Sequence, residues 1–123
     1  MQVPILKQGP FLVATVQAAL TDQGLKQLQV ELSEKVGKFR SQGVIVDVTT
    51  LDVIDSFATR TLRSIADTTK LRGAELVIVG IQPDVAFAMV QMGLTLSGAE
   101  TALDLEEGLE LLEQKLRKNQ RDR

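Results

Sequence analysis

Three short apolar runs rich in β-branched residues punctuate the chain, and amphipathic stretches separate them. The runs are Phe11–Val16, Val44–Val48 and Glu75–Gly80. Their length and composition suit buried strands. Between the first two, Leu25, Leu28, Leu32, Val36 and Phe39 recur at steps of three and four, which predicts one apolar helical face. Lys26, Glu31, Glu34, Lys35 and Lys38 fall largely outside it. Thr21 and Asp22 offer its N-cap, and Gly43 is expected to end the unit. Between the second and third runs, a helix is expected over 56–71, with Phe57, Leu62 and Ile65 toward the core and Gly73 closing it in the left-handed region. Strands alternating with helices imply crossover connections and a largely parallel sheet.

The flanks complete the pattern. Pro4–Leu6 reads as an edge strand, with Gly9-Pro10 as the turn into the next. Those two strands are close enough to pair antiparallel, which would make the sheet mixed. Pro83 suits the first position of a third helix, which Gly93 would end. Leu94–Leu96 is a candidate last strand. Asp104 and Glu107 resemble a capping box ahead of Leu105, Leu109, Leu112 and Leu116. The expectation is one α/β domain over 1–118, a mixed, mostly parallel sheet with about four helices. A charged tail, 119–123, is expected to fray. Internal repeats and low-complexity linkers are lacking.

Composition narrows the chemistry. The 123 residues contain no cysteine and no histidine. Disulfides, thiolate metal sites and the commonest general base at neutral pH are thereby removed. Triad hydrolysis and most zinc chemistries need residue types this chain lacks. The net charge is −2, Tyr and Trp are absent and Phe occurs four times. Neither a general nucleic-acid surface nor a base-stacking platform is indicated. No apolar run approaches the roughly 20 residues of a membrane span, and Met1–Lys7 has no basic start followed by a long apolar stretch. A soluble, cytoplasmic protein with no nucleic-acid or membrane partner is expected.

Val44–Arg60, VIVDVTTLDVIDSFATR, is the informative stretch. It runs from a strand through a loop carrying Asp52 and Asp55, with Val53 and Ile54 tucked in, into a helix beginning at Ser56. Sites in such folds lie beyond the carboxyl ends of the strands. A helix start carries unpaired N–H groups and partial positive charge, so it tolerates a phosphate on Ser56. The plainer reading is that Asp55 or Ser56 is just the N-cap. Asp47, Asp52 and Asp55 could instead hold Mg²⁺, or one could accept phosphate as in receiver domains. A receiver needs an acidic pair after its first strand, and Gln17-Ala-Ala-Leu20 supplies none; a suitable lysine after the last strand is also missing. Neither G-x-G-x-x-G nor a P-loop is present. Met89 and Met92 read as core filler, and Lys115–Arg123 as a solvated helix end.

At Asp55-Ser56-Phe57 the chain resembles the STAS family, the domain of anti-sigma-factor antagonists. The resemblance covers nearly the whole chain. It rests on Pro4-Ile-Leu-Lys7, Val46-Asp-Val-Thr49, Ile54-Asp-Ser-Phe57, Lys70-Leu-x-Gly-Ala74, Gly80-Ile-Gln-Pro83 and Glu100-Thr-Ala-Leu-Asp-Leu105, in that order. The family's acceptor pattern is often Asp-Ser-Ser-Gly. Asp55 and Ser56 match its first two places, while Phe57 and Ala58 depart as the family's small-antagonist branch does. Larger co-antagonists in the family carry an acceptor Thr, a second Thr in the helix after Gly-Ile-x-Pro, and an N-terminal sensor domain. Here the acceptor is Ser and Asp84–Met92 contains neither Ser nor Thr, so a small partner with one acceptor and no sensor domain is expected.

The resemblance implies a phosphorylatable antagonist and scaffold subunit of the stressosome. Such a subunit self-associates as a dimer and, with a sensor-bearing STAS co-antagonist, as a larger shell. The shell sequesters a switch serine/threonine kinase. Phosphorylation on Ser56 releases the kinase, and a dedicated serine phosphatase resets the site. Asp52, Asp55, Phe57, Thr59 and Arg60 are the expected partner-binding residues. No catalytic residue, metal or cofactor is expected in the chain itself. The alternatives are a purely structural scaffold without phosphorylation and a small carboxylate- and Mg-dependent phosphoryl-transfer domain.

Overall fold

The computed structural model describes residues 3–18 and 20–121. Its elements run β1 (Ile5–Gln8), β2 (Phe11–Thr15), α1 (Asp22–Phe39), β3 (Gly43–Asp47), α2 (Ser56–Leu71), β4 (Glu75–Val79), α3 (Pro83–Gln91), β5 (Glu100–Ala102) and α4 (Leu105–Arg121). The sheet order is β1-β2-β3-β4-β5. β1 pairs antiparallel with β2 through the Gly9-Pro10 turn, and the remaining pairs are parallel. The expected mixed, mostly parallel α/β architecture is the one observed. Of the expected frayed tail, residues 122 and 123 lie outside the described residues.

Alternation along the strands builds two cores. Leu12, Ala14, Val16, Val44, Val46, Val48, Leu76 and Ile78 pack with Leu28, Leu32, Val36, Leu62, Ile65, Val85 and Met89, so α1, α2 and α3 cover one face. The intervening Phe11, Val13, Ile45, Val77 and Val79 meet Leu112 of α4 on the other. A period of two sends successive side chains to opposite faces. Burying each such aliphatic side chain contributes about 1.5–3 kcal/mol. Both faces being covered explains why these strands read as continuous apolar runs.

The termini of the helices follow local chemistry. Thr21 caps α1, its side chain accepting from Gly24 N at 3.0 Å. Gly73, at φ +90°, follows the end of α2. Pro83 is the first residue of α3. Asp104 accepts from Glu107 N at 2.9 Å, and the Glu107 carboxylate accepts from Leu103 N at 3.2 Å, so both partners of the expected capping box are engaged.

Several expectations are corrected. Gly43 does not end the first helix; Arg40 does, in the left-handed region at φ 50°, and Gly43 opens β3. A Cβ at Gly43 would lie 2.8 Å from Leu112 and 3.0 Å from Phe11, so close packing of α4 on the sheet explains the glycine. Phe39, at the last turn of α1, leaves the core and is 38% exposed, with the Lys7 and Lys38 ammonium groups 5.5 and 5.4 Å from its ring centre. Such a cation over an aromatic face is attracted by the ring quadrupole. The last strand is Glu100–Ala102, not Leu94–Leu96; Leu94 and Leu96 are irregular residues packed against the core. Met92 is exposed, whereas Met89 is core filler as expected.

Candidate functional site

Parallel strands β2, β3 and β4 end on the same side, and the segments that leave them meet there. Backbone bonds extend the sheet past its strands, Val16 N to Asp47 O at 2.9 Å and Val48 N to Val79 O at 3.0 Å. The loop of residues 48–55 is then fastened from both sides. Thr50 Oγ1 donates to Val16 O at 2.6 Å, and Gln82 Nε2 donates to Thr49 O at 2.7 Å. Gly80, at φ +84°, lets the β4–α3 connection come against Thr49, where an added Cβ would lie 3.1 Å from the Thr49 Cα.

Within the loop, Leu51 and Ile54 are buried anchors. Asp52, Val53, Asp55 and Ser56 face outward, and Val53 is 70% exposed. The expectation that Val53 tucks in with Ile54 is therefore corrected: the anchors are Leu51 and Ile54, three residues apart, and the chain between them bulges into solvent.

Asp55 is the N-cap of α2. Its backbone is extended and its Oδ1 accepts from Ala58 N at 2.8 Å. Ser56 is the first helical residue and is exposed. Spacing left Asp55 and Ser56 as rival caps; the geometry assigns the cap to Asp55 and leaves the Ser56 hydroxyl outside that bond. Helix geometry leaves the first-turn N–H groups without intrahelical acceptors, and Asp55 takes one of them.

The other expected site residues divide. Asp52 and Arg60 are exposed and Phe57 is half-buried. Thr59 is 1% exposed, and its hydroxyl donates to Asp55 O at 2.8 Å. It belongs to the support beneath the site and not to a partner-binding face. The reason is helical phase: Thr59 shares the inward side of α2 with Leu62, Ile65, Ala66 and Thr69. Thr49, Thr50, Gly80 and Gln82 hold the loop; Thr49, Gly80 and Gln82 stood in the sequence as members of family motifs, with no role assigned, and Thr50 was not singled out. Their signals are slight, a Thr pair after a strand and an isolated Gly before Pro83.

Two of the three carboxylates weighed for a cation are hydrogen-bonded locally. Asp47 Oδ1 accepts from Thr49 N at 2.9 Å, and Asp55 caps α2. Among the described residues, no three acidic side chains gather as a metal-binding group. Beside the loop lies an apolar recess of about 180 Å³ between Leu20, Leu25, Val48, Leu51 and Leu62. Its charged lining residues are Asp22 and Asp55, a sign of charge that does not suit a nucleotide phosphate.

The fold is thus a mixed, mostly parallel α/β sheet with Ser56 at a helix start beyond the strand ends. The STAS domain family model matches residues 2–108, and the chain belongs to that family. Within it the chain is similar to RsbS: a Ser→Glu variant of Moorella thermoacetica RsbS is 36% identical, with 95% of this chain and 99% of that one covered and a TM-score of 0.80. A chain from the molecular architecture of the stressosome, a signal integration and transduction hub, is 34% identical, with 93% and 99% covered and a TM-score of 0.74. The RsbT co-antagonist protein RsbRA of Bacillus subtilis strain 168 is 32% identical over 85 residues, 69% of this chain and 31% of that protein. This chain thus spans about a third of the length of that relative. It is a STAS protein, related to RsbS and to the stressosome subunits. No helix among the described residues is long and apolar enough to cross a membrane.

Proposed function

We propose that this chain is a phosphorylatable antagonist and scaffold subunit of a stressosome, with Ser56 as its phosphate acceptor. The observation that carries the reading is the division of labour at the start of α2: Asp55 performs the capping, and Ser56 stands exposed beside it. A hydroxyl so placed can be modified without breaking a bond that holds the helix.

In this reading the unmodified protein, assembled with a sensor-bearing STAS co-antagonist, sequesters a switch serine/threonine kinase. The kinase transfers the γ-phosphoryl group of ATP to Ser56 Oγ. The bond to the ADP leaving group breaks, the ester to Oγ forms, and the hydroxyl proton passes to a base on the kinase. A serine phosphatase hydrolyses the ester and resets the protein. The chain is a substrate and binding partner in the cytoplasm, and the ATP chemistry belongs to the kinase. The STAS unit is proposed as 1–118, with 119–123 a charged extension whose first three residues continue α4.

Phosphate adds about −1.5 to −2 charges and three acceptor oxygens. Asp52 and Asp55 are exposed close by in sequence, so the modified face becomes strongly acidic. Asp52, Asp55, Phe57 and Arg60 are the proposed contact residues around it. A loss of about 1.4 kcal/mol weakens a partner tenfold, which repulsion across a close interface readily supplies.

The test is incubation with the switch kinase and ATP, followed by mass spectrometry. The expected result is one phosphate on Ser56, none on Ser56→Ala, and kinase release from the wild type alone. Ser56→Asp is expected to bind the kinase at least about tenfold more weakly. Intact assembly with Ser56 unmodified would replace this reading with that of a purely structural subunit.

A further inference from the structure

We propose that phosphoserine at position 56 takes the Arg60 guanidinium, one turn along α2, as its partner, so that phosphorylation withdraws a cation from the face on which it places an anion. This rests on Ser56 being the acceptor, but it concerns what the phosphate does once attached.

Ser56 opens α2 and Arg60 follows four residues later. Side chains at that spacing lie on one face, with Cβ atoms about 5–6 Å apart. Both residues are exposed, while Thr61, Leu62, Ile65 and Thr69 are buried on the opposite side. The other residue one turn from Ser56 is Thr59, whose hydroxyl is already bonded to Asp55 O. Arg60 is therefore the group placed to meet an anion on Ser56.

The order of charges is the favourable one, an anion N-terminal to a cation along the helix. Guanidinium and phosphate also match as a planar fork on paired oxygens. Among the described residues Lys115 and Glu100 form the one ion pair, at 3.1 Å, so Arg60 holds no carboxylate that a phosphate would have to displace. Arg63 lies on the same outer side, but seven residues from Ser56 is about 10 Å along the axis. It has Asp67 one turn further on. Among nearby charged groups, Asp52, Asp55 and Asp22, which shares a recess with Asp55, oppose a phosphate here, and Arg60 and Arg63 favour it. Arg60 is the one in reach of direct contact.

Such a pairing alters the proposed switch. In the unmodified protein Arg60 is open to a carboxylate of a bound kinase. In the phosphorylated protein the same guanidinium is occupied within its own helix. Release then follows from the loss of a cation as well as from added negative charge.

The test uses the full chain with phosphoserine inserted at position 56 during translation, so no kinase is needed. The phosphate's second ionisation is followed by ³¹P NMR in wild type, Arg60→Gln, Arg60→Lys and Arg63→Gln, with thermal melts to establish that each variant is folded. Arg60→Gln is expected to raise that pKa by about 0.3 unit or more, a shift of the size an adjacent helical ion pair produces. Arg60→Lys is expected to recover part of the difference, and Arg63→Gln to give less than half of it. A shift at the Arg60 Nε–H on phosphorylation, absent with unmodified serine, is the independent NMR sign of contact. Equal effects of Arg60→Gln and Arg63→Gln, or none from either, overturn the proposal. That outcome leaves the acceptor role of Ser56 standing, whereas an unphosphorylated Ser56 in the kinase assay removes the acceptor role without touching the measured pairing.

Discussion

Asp55 Oδ1 accepts the backbone N–H of Ala58 at 2.8 Å, and that bond relieves Ser56 of any capping duty. The two neighbours are chemically interchangeable as caps, yet one is committed to the helix and the other faces solvent. Stability and modification can therefore be separated by substitution at adjacent positions.

Asp55→Ala is expected to destabilise the fold by about 1 kcal/mol, the usual cost of losing an N-cap. Ser56→Ala is expected to stay within about 0.5 kcal/mol of the wild type, as for exposed positions away from structural features. Urea unfolding of both variants checks this. A larger loss from Ser56→Ala than from Asp55→Ala would reverse the assignment of the cap.

Gly80→Ala combines two penalties. The backbone sits at φ +84°, and the new Cβ would meet Thr49, with its Cα at 3.1 Å. The expected loss is about 1–3 kcal/mol from the backbone conformation alone, plus displacement of the 48–55 loop. A lowered urea midpoint with altered amide shifts at Thr49 and Thr50 is the predicted result.

Gln82→Ala removes the 2.7 Å bond to Thr49 O without touching the core. The expected cost is about 0.5–1.5 kcal/mol, typical of one hydrogen bond. Amide exchange should quicken in residues 49–55 while Val44–Val46 stay protected. Unchanged exchange in residues 49–55 would mean that the loop is held by its apolar anchors instead.

Thr59→Val keeps the shape of a buried side chain and deletes the hydroxyl that donates to Asp55 O. It should cost about 0.5–1.5 kcal/mol of stability and leave kinase affinity per folded molecule unchanged. Arg60→Ala should do the opposite, staying within about 0.5 kcal/mol in unfolding while weakening kinase binding. A binding loss confined to Thr59→Val would restore it to the partner face.

Much of this fold was legible because its elements carry strong local periodicity. The runs at Phe11, Val44 and Glu75 became β2, β3 and β4, and the steps of three and four from Leu25 to Val36 became the buried side of α1. β5 was not legible. It is a three-residue edge strand with two exposed residues, made a strand by hydrogen bonds to β4, while the more apolar Leu94 and Leu96 pack without pairing. A strand defined by its neighbour leaves little pattern of its own.

At the site, residue types and order already placed Asp55 and Ser56 at the start of a helix, and the ordered motifs marked the family. Exposure and hydrogen-bond partners were beyond reach of the sequence because they depend on segments distant along the chain. Thr50 reaches Val16, Gln82 reaches Thr49, and Gly80 admits that approach. Helical phase turned Thr59 inward and Arg60 outward, although they are adjacent. Sequence by itself thus determined the elements other than β5, because periodicity reports local backbone geometry. Only the structure decided that Asp55 and not Ser56 caps α2, that Val53 faces out, and that the 48–55 loop is tied to Val16 and Gln82, because exposure and partners depend on atoms brought together by folding.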